Sequence, residues 1–324
     1  MTGGRLQLRP FAALFQIQRR FSFAFALVLT AILLIVNLTQ SSGGFGWTQQ
    51  LADFAPLGIA AMASTPSIIS GGGGIDVSIS PLMIFVTVVF VGVLAPNGLG
   101  GAIAVPILLV MAAGVGAFNG LLVVALRVPP VVVTLSMYFV LMGVSAAVLP
   151  ESGILSHTWL SHLAGDVGPI PGAVFTLGIP LLLWFTLRLL PYRQLLYAVG
   201  GNDATAFAAG VNIAAIRVAA YALGGLFAAF AGMALIAITL DANPDQGGSY
   251  TLLAIASVAL GGTSLWGGRG GMVGPLLGAA SIYLLEDLLT TFQIPPSWLQ
   301  VMYGGALVVA VVASGIVARP RVAT

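Results

Sequence analysis

The sequence predicts an all-α polytopic membrane protein, and three observations carry that prediction. Only 6% of the 324 residues are charged, against about a quarter in an ordinary soluble protein. Mean hydropathy is +1.07 over the whole chain, which requires several apolar runs of bilayer length. Glycine is abundant, at 42 residues, as expected where transmembrane helices approach closely or break.

Four arginines, Arg5, Arg9, Arg19 and Arg20, precede the first apolar run, 21–38. That run is long for a signal-peptide core and no small-residue cleavage site is clear, so it reads as a retained first span. Residues 1–20 then form a cytoplasmic segment. Further apolar runs cover 51–70, 79–95, 103–126, 131–149, 173–190, 218–240, 251–260, 272–289 and 298–317. This gives about ten transmembrane segments in one transmembrane unit over 21–318, followed by a cytoplasmic tail over 319–324. Run 251–260 is too short to cross at 1.5 Å per residue, so broken or re-entrant helices are expected. With the N-terminus inside and ten alternations, Arg127, Arg188, Arg193, Arg217, Arg269, Arg319 and Arg321 all fall on the cytoplasmic side, which satisfies the positive-inside rule. Both termini are then cytoplasmic. Two stretches, 51–95 and 251–289, share the order apolar run, glycine-rich break, apolar run, and this fits a possible internal duplication.

Composition excludes several activities. The chain has no cysteine, so neither disulfides nor thiol chemistry is available. All of its basic residues are arginine, so the glycine-rich run 261–271 cannot be a Walker A loop, which needs a lysine. A re-entrant turn is the better reading of that run. A formal charge of +2 does not suggest nucleic-acid binding. His157, His162 and Asp166 share an expected outer loop, but this set lacks the scaffold of a metal site, and no metal is expected. An intramembrane enzyme would need a second carboxylate or a histidine at bilayer depth.

The polar interruptions hold the candidate functional residues. In 71–81 four glycines precede Asp76, Ser78 and Ser80. Glycine disfavours a continuous helix, and the freed backbone must be satisfied by protein or by a water-filled cavity. Asp76 either lines a pathway or caps the following helix. Asn119 lies inside a span, where an amide faces another helix or a cavity. Pro129 and Pro130 end one span and start the next, with Thr134 just beyond. The longest polar stretch is 193–217. Gly200 and Gly201 break the chain, Asn202 and Asp203 supply a helix N-cap, a short helix over 204–209 follows, and Gly210 suits its C-terminus. From polarity alone this is either a plain cytoplasmic loop or a helix that docks a partner.

Four stretches together carry a resemblance: LYAVGGNDATAFAAGVN, IDVSISP, RVPPVVVTLS and VALGGTSLWGGRGGMVGPLLGA. They resemble the inner-membrane permease subunit of bacterial ABC importers, in the branch for ribose, xylose, galactosides and other simple sugars. The similarity runs from about residue 51 to 315. The chain departs from the family's usual Leu-Ser-Val-Gly after the aspartate, with Val77, Ser78, Ile79 and Ser80. The resemblance implies that Gly200, Gly201, Asn202, Asp203, Ala208, Gly210 and Val211 couple the permease to an ATPase subunit. It implies a translocation pathway near Asp76, with Ser78, Asn119 and Thr134 as candidates. It implies three protein partners besides membrane lipid: an ABC ATPase carrying ATP and magnesium, a periplasmic solute-binding protein, and a second permease chain, identical or not. No cofactor and no catalytic residue is expected on this chain. The alternatives are a permease for branched-chain amino acids, autoinducer or nucleosides, and a proton- or sodium-coupled carrier using Asp76.

Overall fold

The computed structural model describes residues 9–40, 44–246, 248–295 and, singly, 298, 301, 304, 305 and 308; side chains are described from residue 23 onward. The expected tenth run, 298–317, and both chain ends therefore lie outside the continuously described residues.

Eleven α-helices are described: α1 (Arg9–Gln40), α2 (Trp47–Ile69), α3 (Ile79–Val89), α4 (Ala104–Leu126), α5 (Pro130–Val148), α6 (Ala173–Thr186), α7 (Pro191–Gly201), α8 (Asp203–Ala208), α9 (Ile213–Thr239), α10 (Ser249–Leu260) and α11 (Val273–Thr291). A π-helical turn, Phe90–Leu94, extends α3. Nine of the ten apolar runs thus coincide with helices. Among the described residues six helices are long and apolar enough to cross a bilayer, or seven with the bent pair Ala173–Leu189 and Pro191–Gly201 counted as one. The figure of ten spans does not follow from these helices. The breaks at 71–78 and 243–246 leave α3 with 11 residues and α10 with 12. At about 1.5 Å per residue, neither helix alone reaches across a hydrocarbon core of about 30 Å.

Helices α2 and α9 form the centre. In α2 every residue from Ala55 to Ile69 is buried, and in α9 every residue from Phe227 to Ala237. Their small side chains let neighbouring backbones approach. Gly116 and Gly120 of α4 meet the backbone of α9 near Tyr221 and Val218, and Gly274 and Gly278 of α11 meet Gly261 and Ser257 at the end of α10. Spacing of four residues puts each glycine pair on one helix face. Apolar side chains on α1, α4 and α5, among them Ile32, Val110 and Phe139, point outward, as lipid-facing positions should.

The two ends of the bundle differ. At one end, β1 (Gly153–Ile154) pairs antiparallel with β4 (Asp241–Ala242), and β2 (Asp166–Val167) pairs with β3 (Ile170–Pro171). The loop holding His157 and His162 is therefore folded onto the bundle, and Trp159 Nε1 donates to the Gly100 carbonyl at 2.9 Å. Thr48 donates to Asp166 here, and Gln50 to Asp287. At the other end, the close approach of Gly120 to Val218 brings the Arg127 end of α4 beside the Arg217 end of α9. Arg127 is in a left-handed conformation there and stops α4 before Pro130 starts α5. The glycine turn after α2, the end of α7 and the 261–271 loop gather at the same end.

Candidate functional site

The first part of the site is the helix α8 and its caps. Asn202 is extended, and its side chain accepts from Thr205 N at 2.9 Å. This satisfies one of the unpaired N–H groups at the helix start. At the other end Gly210 has φ +80°. Gly210 N donates to Phe207 O at 2.9 Å and Val211 N to Ala206 O at 3.0 Å, which is the paired bonding of a Schellman termination. Asn212 then caps α9, accepting from Ala215 N at 3.0 Å. Two capping asparagines around one left-handed glycine thus define a six-residue helix that starts and stops abruptly. The helix begins one residue before the expected 204–209 because Asn202 rather than Asp203 is the cap.

Asp203 is free of capping duty and takes another role. Its carboxylate accepts from Arg217 Nη2 at 2.7 and 2.9 Å, tying α8 to the first turns of α9. On α8 only Ala206 is buried. Phe207 is 74% exposed, so the helix presents a large aromatic side chain among alanines.

The second part is the break between α2 and α3. Asp76 Oδ1 accepts from Ser78 N at 2.9 Å and from Ser78 Oγ at 2.6 Å. Asn119 Nδ2 donates to Ser78 Oγ at 2.9 Å. Thr134 Oγ1 accepts from Val77 N at 3.2 Å and lies within donating distance of Ile75 O at 3.3 Å. The four residues singled out in this region, Asp76, Ser78, Asn119 and Thr134, therefore meet in one buried cluster. Two further side chains join it, Ser80 from the same stretch and Thr251 from α10. Thr251 Oγ1 donates to Val77 O at 3.1 Å, and Ser80 Oγ accepts from Tyr250 N at 3.2 Å. The start of α10 is thereby bonded to the start of α3. Asn119 Oδ1 and the Tyr221 hydroxyl are buried without a hydrogen-bond partner among the described residues. Asp76 accepts from the N–H of Ser78, the residue that precedes α3, which closes a local turn rather than capping the helix, since no side chain caps the start of α3.

The two parts are joined through backbone. Gly268 N donates to Ile69 O at 2.9 Å. A side chain at Gly200 would collide with the Ile69 carbonyl and with Gly268, and one at Gly71 would collide with Gly200. The end of α7, the end of α2 and the 261–271 loop thus touch main chain to main chain. Arg217 forms a second link: a Cβ on Gly72 would lie 2.6 Å from its Nη2, so the guanidinium that holds Asp203 also lies against the glycine turn. Arg217 and the inter-glycine contacts were not foreseen from the sequence. The paired glycines at 200–201 and 267–268 were the only sequence signal for them, since adjacent glycines mark close backbone approach as often as turns.

A bundle of apolar helices with a broken central span and a capped helix at its arginine-rich end defines a multi-pass membrane protein. Residues 46–311 match a family described as the permease component of the branched-chain amino acid transport system, and the chain belongs to that family. It is 30% identical over 278 residues to the fructose import permease protein of Rhizobium meliloti, covering 82% of this chain and 77% of the relative. It is 31% identical over 259 residues to the ribose import permease protein of Escherichia coli strain K12, covering 78% and 80%. It is 30% identical over 278 residues to the autoinducer 2 import system permease protein of Photorhabdus temperata, covering 82% and 81%. No solved structure gives a significant match. The chain is a subunit for transport, not an enzyme.

Proposed function

We propose that this chain forms the translocation pathway of an ATP-driven importer for a monosaccharide in a bacterial inner membrane. Relatives named for ribose and fructose import support the solute class. The observation that carries the mechanism is the double link from α8 to the α2–α3 break, by Asp203–Arg217–Gly72 on one side and by Gly200–Gly71 on the other. A helix so connected can pass a displacement inward.

In this reading the arginine-rich end is cytoplasmic, and both termini are on that side. Phe207 and the caps of α8 seat in a groove on a separate ATPase, which binds ATP with magnesium and hydrolyses it. Closure of the ATPase moves α8, and the rigid main-chain contacts at Gly200 carry the motion to the break, so that one of two arrangements of the spans is favoured. The polar cluster around Asp76 is the element that rearranges, since the carboxylate, two hydroxyls and an amide can exchange partners there with each other and with a passing sugar. A periplasmic binding protein delivers the solute to the opposite end, and a second permease chain completes the pathway. The docking role is tested by co-purification of the ATPase with the Phe207→Asp variant, beside a reporter fused after Gly201. Loss of the ATPase with a cytoplasmic reporter signal supports the reading. Full retention of the ATPase, or a periplasmic signal, contradicts it.

A further inference from the structure

A cavity of about 390 Å³ opens beside the α6–α7 elbow, away from the Asp76 cluster and from α8, and it is lined by Phe23, Trp184, Phe185, Arg193 and the glycine backbone at 261–262 and 270–271. Two hydrogen-bond donors of residues lining this cavity lack an acceptor among the described residues. Arg193 Nη1 and Trp184 Nε1 are both buried with no hydrogen-bond partner, and Trp184 is only 1% exposed. The Arg193 guanidinium is held in place by the faces of Trp184, at 5.2 Å, and Tyr197, at 6.0 Å. Tyr197 is fixed in turn by its hydroxyl, which donates to Gly270 O at 2.9 Å. No carboxylate lines the cavity among the described residues.

A buried unpaired donor is costly, more so when it is charged, and such groups in folded proteins call for a partner. Here the partner must be an anion that accepts from two directions. A phosphate oxygen meets that need, and arginine recognises phosphate well because its fork of donors is rigid. The surroundings indicate the source. The elbow bends α7 by 88° from α6, so the chain turns sharply beside the cavity. Phe23 and Phe185 at the cavity, and Leu189 and Leu190 at the elbow, are exposed apolar side chains. A cationic floor with an apolar rim at the membrane boundary suits a headgroup with acyl chains attached, and anionic lipids are drawn to basic pockets of this kind.

We propose that this cavity binds the phosphate of an anionic phospholipid, held by Arg193 and Trp184. Its assignment to the inner leaflet rests on the orientation proposed above; the binding itself does not. The test uses the full chain, purified in mild detergent and placed in phosphatidylcholine nanodiscs with increasing phosphatidylglycerol, and native mass spectrometry reads the lipid retained. The wild type is expected to retain phosphatidylglycerol over phosphatidylcholine. Arg193→Gln should weaken that retention about tenfold, the loss of one charged hydrogen bond, and Trp184→Phe should weaken it less because only the N–H is removed. Equal retention by a folded Arg193→Gln chain overturns the proposal. If that variant does not fold, Trp184→Phe decides in the same way, with unchanged retention overturning it. Displacement of the lipid by millimolar inorganic phosphate would make this a free-anion site and overturn the lipid assignment. The readout needs neither ATPase nor transport, so failure of the proposed function would leave it unaffected.

Discussion

Replacing Gly210 by valine isolates the termination of α8 from everything around it. A Cβ at this position would meet nothing within 4 Å, so no steric clash with a neighbour complicates the outcome. The whole cost comes from φ +80°, a left-handed conformation that an L-residue adopts at about 1–2 kcal/mol and a β-branched one with more difficulty. A penalty of that size lowers the population of the formed helix end by a factor of about 5–30. The helix has six residues and no length in reserve, and the Gly210 and Val211 N–H bonds are lost together. The assay is ATP hydrolysis by the reconstituted complex with and without liganded binding protein, beside pull-down of the ATPase. Gly210→Val should reach normal abundance in the membrane yet lose most of the stimulated activity. Gly210→Asn should lose less, since asparagine tolerates positive φ. Wild-type stimulation by the valine variant, with transport unchanged, would refute the reasoning and leave 193–217 an ordinary loop.

Other substitutions test the links separately. Gly200→Ala forces a methyl against the Ile69 carbonyl and should lower stability by about 1–3 kcal/mol, read as a lower melting temperature in detergent; an unchanged melting point would mean that the junction is not tight. Asp203→Ala should cost little stability, about 0.2–1 kcal/mol for a pair whose carboxylate side is half exposed, while reducing stimulated ATP hydrolysis; the reverse pattern would make the ion pair structural only. Asp76→Ala strips the acceptor from two donors of Ser78 and should destabilise by about 1–3 kcal/mol, whereas Asp76→Asn keeps an acceptor and should fold, assemble and transport slowly. Normal uptake by Asp76→Asn would reduce Asp76 to a structural residue of the turn before α3.

Much of this was legible in the chain because apolar length and punctuation are strong signals in a membrane protein. Nine runs became helices within a few residues, and the caps at Asn202 and Gly210 could be read one residue at a time, since they depend only on local chemistry. The Asp76 cluster was legible in its members but not in its geometry. Asp76, Ser78, Asn119 and Thr134 each stood out as polar atoms in apolar surroundings, and such atoms are driven together when no water is at hand. Ser80 was read together with Asp76 and Ser78, though not its bond to Tyr250 N; Thr251 was not singled out for it, because a hydroxyl inside a helix commonly bonds its own backbone, as Ser257 does to Leu253 O. The count of about ten spans is not confirmed by the described helices, for a different reason. Hydropathy reports that a segment is apolar, not whether the chain turns back partway, and the breaks before α3 and α10 shorten both helices below a crossing length. The exposed Phe207 was visible as the one large apolar residue of α8, but which side of a six-residue helix faces outward depends on packing by α7 and α9.

Uptake into proteoliposomes tests the central claim most directly. The chain is reconstituted with its ATPase and binding protein, and accumulation of labelled pentoses and hexoses is followed with ATP or a non-hydrolysable analogue enclosed. The account predicts uptake of a monosaccharide that requires hydrolysable ATP and all three proteins and that persists in the presence of a protonophore. Uptake by this chain alone, without ATP and abolished by a protonophore, would contradict it.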